Sequence, residues 1–478
     1  MITKEQMIEY LQCDISSYGF QDLFDLVISK QNCVNCGACL SICPRIGIEE
    51  NKPTLIDYDP ECSLCFKYCT RTFFPRNFFE KEIFKERIQK DSLLGYYQKI
   101  TAARSTDNNI LKNAQNGGVV TSLLLHALDT GLIDGVLMAN KDERWHPKPF
   151  IARSPEEVRN AAGSIYAMVP TLSTYKDAVC KYKIENLGFV GLPCQIQAVR
   201  KFQLWPPLSD KYGNFKLIIG LFCSSNYSYD SMYTLIKDLI GISLGEIKKI
   251  DVSHGKFIVY LNNGTMKEIS IKDTNRYHYS SCEHCKDYTA YFADISIGSV
   301  GVPSDNWNSV IIRTEEGQRL FNDALTRRKI IISNNIDPNK IKKASKKKKM
   351  QMTETSDKIY SALKFFDVTK LEVKTYTTLL SIGEADLFML RDIMKLKPEI
   401  IYNIIKKLKQ RKWIFKYQNF YRPINPSQVI KNEIDQILTK FKNYIDIIKS
   451  KILKDLTTKF IQNNLMDLEN LDFMDIFF

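Results

Sequence analysis

The chain has 478 residues, 44% of them hydrophobic and 25% charged. That length exceeds one ordinary core and predicts two to four domains, while no run nears the roughly 20 apolar residues of a membrane span. The formal charge of +13 invites a nucleic-acid reading, but seven lysines fall between Lys340 and Lys349 in KIKKASKKKK, a local run expected as a solvated linker.

The N-terminus, MITKEQMIEYLQ, lacks a basic stretch followed by an apolar one, so no signal peptide is read and a cytoplasmic protein is expected. Thirteen cysteines in such a chain point to metal ligation, because a reducing compartment keeps thiols free. Eleven of them lie in ligand-like contexts; Cys13 and Cys180 do not and are expected as buried structural thiols.

Residues 1–85 open with a helical stretch, FQDLFDLVISK, and continue into two cysteine runs. Cys33, Cys36, Cys39 and Cys43, followed by Pro44, have the C-x2-C-x2-C-x3-C-P spacing of bacterial ferredoxins, in which the fourth thiolate reaches a second cluster. Zinc is the rival, but zinc sites pair C-x2-C elements across a longer gap. The second run holds only Cys62, Cys65 and Cys69, and Asp59 stands where its first cysteine should be. Cross-ligation would give one cluster Cys33, Cys36, Cys39 and Cys69. The other would receive Cys62, Cys65 and Cys43 with the Asp59 carboxylate, a three-iron core or an open position, unless Asp59 only caps a turn before Pro60. Thr70 replaces the proline that follows Cys43 in the first run.

From 86 to 335 helix-like and strand-like runs alternate, which predicts an α/β or α+β domain. VVTSLLLHALDTG reads as a helix closed by glycine, GVLMA and LGFVGLP as buried strands, and KFIVYLNNGTMKEISI as a hairpin. Cys194, Cys223, Cys282 and Cys285 supply a C-x2-C pair and two singles at strand ends, and spacing leaves a third 4Fe-4S cluster and a zinc site equally open.

After the linker at 336–356, residues 357–430 form a helical unit in which Val373, Tyr376 and Leu380 keep helical spacing. Ile401, Ile405 and Leu408 give a second apolar face, and WIFKYQNFYRPI reads as strand, turn, strand. Residues 431–478 are largely one helix. Its Ile434, Leu438, Phe441, Ile445, Ile448 and Ile452 form a seam suited to a coiled-coil homodimer or to packing on its own domain.

The ordered motifs NGGVVTSLLLHALDTGLIDGVLMA, GSIYAMVP, GLPCQIQAVRKF, LIIGLFCSSN, HGKFIVYL, CEHCKDYTAYFADISIGSVG and VIIRTEEGQ closely resemble the coenzyme F420 hydrogenase/dehydrogenase beta-subunit family across residues 28–335. The resemblance implies FAD, one four-iron cluster on Cys194, Cys223, Cys282 and Cys285, and hydride exchange with the deazaflavin coenzyme F420. It maps a flavin region onto Asn116, Gly117, Gly118, Thr121, Gly163, Ser164, Tyr166 and Pro193, and onto Asp294 and Gly298. Paired glycines ahead of a helix would let backbone N–H groups approach a diphosphate, although NGG alone is more often a turn. Leu192 departs from the threonine usual there.

Residues 367–430 resemble the winged-helix domain of TrmB-type transcriptional regulators, with a recognition helix over 397–412. Pro398, Glu399 and Ile400 at its start suit phosphate poorly, while Lys406, Lys407, Lys409, Arg411 and Lys412 supply charge further along. The expectation is therefore a multidomain α/β iron-sulfur flavoprotein passing electrons between reduced coenzyme F420 and ferredoxin or a partner oxidoreductase subunit. The alternatives are a redox-responsive DNA-binding regulator and an oxidoreductase of the same family with another donor.

Overall fold

The computed structural model describes residues 18–49, 52–57, 62–72, 74–84, 89–204, 214–394 and 396–464. Cys13 and Asp59 lie outside them. Met1–Thr355 and Ser356–Phe478 form two compact units.

A mixed eight-stranded sheet organises the first unit. Its strands are β1 (Lys99–Ser105), β2 (Gly135–Lys141), β3 (Pro147–Ala152), β4 (Leu187–Gly191), β5 (Phe215–Leu221), β6 (Ile295–Gly298), β7 (Asn308–Ile312) and β8 (Ile330–Ser333). Their spatial order is β8-β1-β7-β6-β5-β4-β2-β3. The central β2, β4, β5 and β6 pair in parallel, with antiparallel strands on either side. Parallel strands are covered on both faces, which is why LGFVG of β4 is apolar and buried throughout.

Adjacent residues of one strand feed opposite cores, as side-chain alternation requires. Val136 and Ile219 pack with Leu123 and Leu124 of α1 (Val119–Asp129) and Phe321 of α3 (Glu315–Thr326). Their neighbours Leu137 and Ile218 pack with Ile196, Val199 and Phe202 of α2 (Pro193–Leu204). The hairpin expected in KFIVYLNNGTMKEISI is present as Lys256–Leu261 against Met266–Ser270, with Ile247–Ser253 completing a three-stranded antiparallel sheet.

The cysteine-rich segment has a small core of its own, with Phe20, Leu23, Val27, Ile28 and Phe66, and is also joined to the core of this sheet. Val34, Ala38, Tyr68 and Phe79 join the cluster that holds Tyr175, Phe202 and Phe292, and the Tyr68 ring meets Phe202 edge-on at 5.6 Å. Each fully buried side chain of this size contributes about 1.5–3 kcal/mol. Cys180, expected as buried, is exposed.

The lysine-rich run is not a solvated linker. It lies in the helix Pro338–Leu363, and Ile341, Ser345 and Lys348, spaced four and three, are buried. A helix turns one such row inward and leaves Lys346 and Lys347 in water.

In the second unit, helices Lys370–Ile382, Leu387–Met394 and Pro398–Gln410 precede a hairpin of Ile414–Tyr417 and Phe420–Pro423. Val373, Tyr376, Leu379, Ile401, Ile405, Leu408 and Trp413 form its core. Leu380, expected inside, is exposed, because Leu379 takes the inward position. The seam on the last helices is open to solvent at Ile434, Leu438, Phe441, Ile448 and Ile452. Among the described residues no helix is long and apolar enough to cross a membrane.

A buried ion pair ties α2 to the sheet. Arg200 donates to Asp294 Oδ1 at 2.6 Å and to the Phe292 carbonyl at 2.7 Å. Asp294 also accepts the Ile218 N–H at 2.7 Å and the Thr314 hydroxyl at 2.9 Å. Removing one partner of a buried pair strands the other, so Asp294→Ala should cost about 3–5 kcal/mol. Breaking the exposed Lys256–Glu268 pair should cost under about 1 kcal/mol. Denaturant unfolding of the full chain measures both, and equal small losses would refute the ranking.

Candidate functional site

The first cysteine run begins in a loop and ends at the helix Ala38–Ile42, with Cys43 at its C-terminus. Gly37 starts that helix at φ +85°, where a Cβ would stand 2.5 Å from the Ser173 N and 2.6 Å from the Pro170 carbonyl oxygen. The loop therefore lies directly on the turn Thr171–Thr174. Leu172 N–H donates to the Cys36 carbonyl at 3.0 Å, and Ser41 Oγ donates to the Leu172 carbonyl. The second run is built the same way around the helix Leu64–Tyr68, with Cys69 at its end.

Electrostatic coupling links these thiols across the two runs. Burial pushes Cys33 up to about 11 and Cys36 to about 12, and Cys69 of the other run raises both further. Cys39 is held well above its usual range by burial, then by Cys36, Cys33 and Cys69. Cys65 is pushed up to about 12 by burial, against a backbone N–H at Phe66, with Cys43 and Cys62 adding to the rise. Cys69 thus acts on all of the first three cysteines, and the two runs also meet through Cys65, which Cys69 raises and which itself raises Cys39. The Asn35 and Arg71 N–H groups each donate to a sulfur, Cys33 and Cys69 respectively, at 3.4 Å.

A second group gathers Cys194 at the start of α2, Cys223 just past β5, and Cys282 and Cys285 at the turn Ser280–His284. Burial raises Cys194, and Cys285, Cys223 and Cys282 add to it. Burial takes Cys223 up to about 12, and the Lys348 ammonium opposes the rise. Among the described residues no group of three or more His, Cys, Asp or Glu side chains is arranged to hold a metal ion.

The two groups are neighbours. The Tyr279 phenol is raised by burial and then by Cys33, Cys282, Cys194 and Cys36, so it feels thiols of both. Arg71 donates to Cys69 through its N–H and to the carbonyls of Ser281 at 3.0 Å and His284 at 3.5 Å through its guanidinium.

The flavin-region residues split. Gly117 is tightly packed on its Cβ side, where a Cβ would meet Asn308 N at 2.8 Å and the Ala103 oxygen at 2.9 Å. Gly298 packs under Phe222, and Asp294 is engaged in the ion pair with Arg200. Asn116 donates to the Asp305 carbonyl at 3.0 Å, Thr121 is buried in α1, and the Asn308 side chain accepts the Val119 N–H at 3.3 Å. Gly118 caps α1 at φ +69°, and Pro193 opens α2. Gly163 is different: at φ +109°, a Cβ there would meet nothing nearer than the Asn113 oxygen at 3.8 Å. It borders a cleft of about 260 Å³ between residues 140–143 and 160–165. Tyr166 is raised by burial and Asp251, with Ser164 donating to it. In the cleft, burial brings Lys141 down to about 7, and its ammonium lies 2.7 Å from the centre of the Trp145 ring.

Lys141, Arg71, Tyr279 and Lys348 carry no motif, and the sequence reading missed all four; Lys201 lies inside GLPCQIQAVRKF but was not singled out there. Only the buried helical row Ile341, Ser345, Lys348 left a trace in the sequence.

Residues 100–176 match the family described as coenzyme F420 hydrogenase/dehydrogenase, beta subunit N-terminus, and residues 184–338 match its C-terminus. The chain is 42% identical over 229 residues to a coenzyme F420 hydrogenase subunit beta of Methanococcus voltae, covering 48% of this chain and 81% of that one. It is 33% identical over 301 residues to an F(420)H(2) dehydrogenase subunit of Methanosarcina mazei, covering 62% and 83%. A chain of the F420-reducing [NiFe] hydrogenase complex from Methanosarcina barkeri superposes with a TM-score of 0.55 at 37% identity, over 57% of this chain and 95% of that one. With both halves of the family pattern matched and most of these relatives' length covered, the chain belongs to the coenzyme F420 hydrogenase/dehydrogenase beta-subunit family of oxidoreductases.

Proposed function

We propose that the protein passes electrons between reduced coenzyme F420 and a ferredoxin or partner oxidoreductase subunit, as an iron-sulfur flavoprotein of a reducing, cytoplasmic compartment. The observation that carries this reading is the adjacency of the Cys33, Cys36, Cys39, Cys69 group to the Cys194, Cys223, Cys282, Cys285 group across Tyr279 and Arg71. Buried thiols that raise one another are unstable as bare thiolates, and a cationic metal core relieves that repulsion. An iron-sulfur cubane takes each cysteine on a different iron, which spreads its ligands more widely than a single zinc ion does. Cys43, Cys62 and Cys65 would hold a second N-terminal cluster, four-iron or three-iron, with Asp59 as its fourth candidate ligand.

FAD supplies the conversion between two-electron and one-electron chemistry. Gly163, Ser164 and Tyr166 are the residues best placed to hold part of it, because they border or adjoin an open cleft. The cleft is slightly below the usual range of small-ligand sites, so it fits a fragment of such a cofactor rather than the whole. Lys141 offers that cleft a cation for an anionic group. The glycines at 117 and 298 are packed closely on their Cβ sides, so any contact they make with the cofactor would be through backbone groups.

Three helices followed by a hairpin support a winged-helix reading of the second unit, and Lys406 and Lys409 are exposed on its third helix, while Lys407 pairs with the buried Glu372 at 3.4 Å. That row favours a second reading, in which the unit binds DNA in response to redox state. Arg411 does not join it, since it pairs with the buried Glu433 at 2.8 Å. The solvent-open seam at Leu438 and Phe441 is the surface proposed for a second copy.

Anaerobic protein carrying iron and flavin should show bleaching of the flavin absorbance on mixing with reduced F420. If neither reduced F420 nor NADH bleaches it, the electron-transfer reading fails. Cys69→Ala should remove one EPR-detectable cluster while Cys180→Ala leaves iron content unchanged; equal iron in both variants would contradict the grouping of Cys69 with the first run. Sedimentation of the full chain should show a dimer that Leu438→Lys dissociates. Added duplex DNA should shift it in a salt-sensitive way only if the regulatory reading holds, and no shift in either redox state sinks that reading.

A further inference from the structure

The helix Pro338–Leu363 starts where the matched family residues end, at 338. It is fastened to the first unit by side chains along one face. Ser345 Oγ donates to the Leu93 carbonyl at 2.6 Å, and Lys342 pairs with Asp91 at 2.7 Å. Lys348 goes deeper: it is 3% exposed, and its ammonium donates to the carbonyl of Ser224, the residue after Cys223.

Taking an ammonium out of water is costly unless negative charge faces it. Here burial works against the charge, and Cys285, Cys223, Cys282 and Cys194 together hold Lys348 above the ordinary lysine range. The same ammonium opposes the rise of Cys223 and Cys282. Lys346 and Lys347, next to it in sequence, are exposed. Lys349, on its other side, is half-buried and donates to the Ser92 carbonyl, so Lys348 is the most deeply buried lysine of the run.

We propose that Lys348 is a positioning residue of the four-cysteine site, a built-in counter-charge that stabilises the more negative redox state of the centre those thiolates hold and so raises its reduction potential. The inference rests on the iron-sulfur reading of Cys194, Cys223, Cys282 and Cys285. A cation next to the site favours the state carrying one more electron, and a low surrounding dielectric strengthens the effect. The competing explanation is a latch: Lys348 would merely hold the helix down through the Ser224 carbonyl.

The two separate in an EPR-monitored redox titration of the full chain, following the signal that disappears in Cys223→Ser. Lys348→Gln keeps a hydrogen-bond donor and loses the charge, so its midpoint should move to lower potential. Lys348→Arg keeps the charge and should stay near the wild-type midpoint, as should Lys347→Gln, which removes the same charge in water. An unchanged midpoint in Lys348→Gln, an equal shift in Lys347→Gln, or equal loss of the signal in Lys348→Gln and Lys348→Arg would overturn the assignment. Absence of any Cys223-dependent signal in the wild-type protein would instead overturn the cluster reading on which the assignment rests.

Discussion

Lys201 leaves α2 fully buried and donates to the carbonyls of Lys67 at 2.9 Å and Cys69 at 2.6 Å. This contact fastens the second cysteine run to the helix that also carries Cys194. Burial brings the Lys201 ammonium down to about 7, and Cys69 and then Cys36 pull it back. The docking lysine and the thiols are therefore coupled: an anionic centre at Cys36 and Cys69 favours the charged lysine, and the charged lysine holds Cys69 in place. Everything proposed about electron passage between the two thiol groups depends on that attachment.

Cations recur wherever thiols gather. Arg71 stands between the groups, Lys201 beneath the N-terminal one and Lys348 behind the four-cysteine one. Around them the surroundings are apolar, with Phe20, Val27, Ile28 and Phe66 packed on the first run. Low-dielectric walls amplify each charge, so a few well-placed cations count for more than the large formal charge spread over the surface. The net charge drew attention to the wrong property of the lysine run. Its importance lies in Lys348, the one lysine of the run that is fully buried.

What the sequence disclosed follows from how local each signal is. Ligand spacing is local, so Cys33 to Cys43 announced their chemistry; parallel strands are continuous apolar runs, so β2 and β4 were legible too. The contacts that place the site join residues far apart in the chain: Gly37 with Pro170 and Ser173, Lys201 with Cys69, Lys348 with Ser224. No periodicity encodes such pairs. Glycines need a long-range contact to be understood, for a related reason. Gly117 and Gly298 look like ligand-binding positions, but the close approach that requires a missing Cβ is made by Asn308 and Phe222 of the protein itself. Lys348 was hidden among six other lysines, distinguishable only by a helical phase set by Ile341 and Ser345.

The tight seat of Gly37 has a further consequence. A methyl group at this position would meet backbone atoms at 2.5 and 2.6 Å, which cannot yield as a flexible side chain can. The loop carrying Cys33 and Cys36 would have to lift from the turn at Thr171–Thr174, and its distance to the four-cysteine group would change. Electron tunnelling decays exponentially with the width of the gap, whereas packing energy changes only in proportion to the area uncovered. On the proposed wiring, one missing side chain thus governs a rate: the glycine keeps the tunnelling barrier thin.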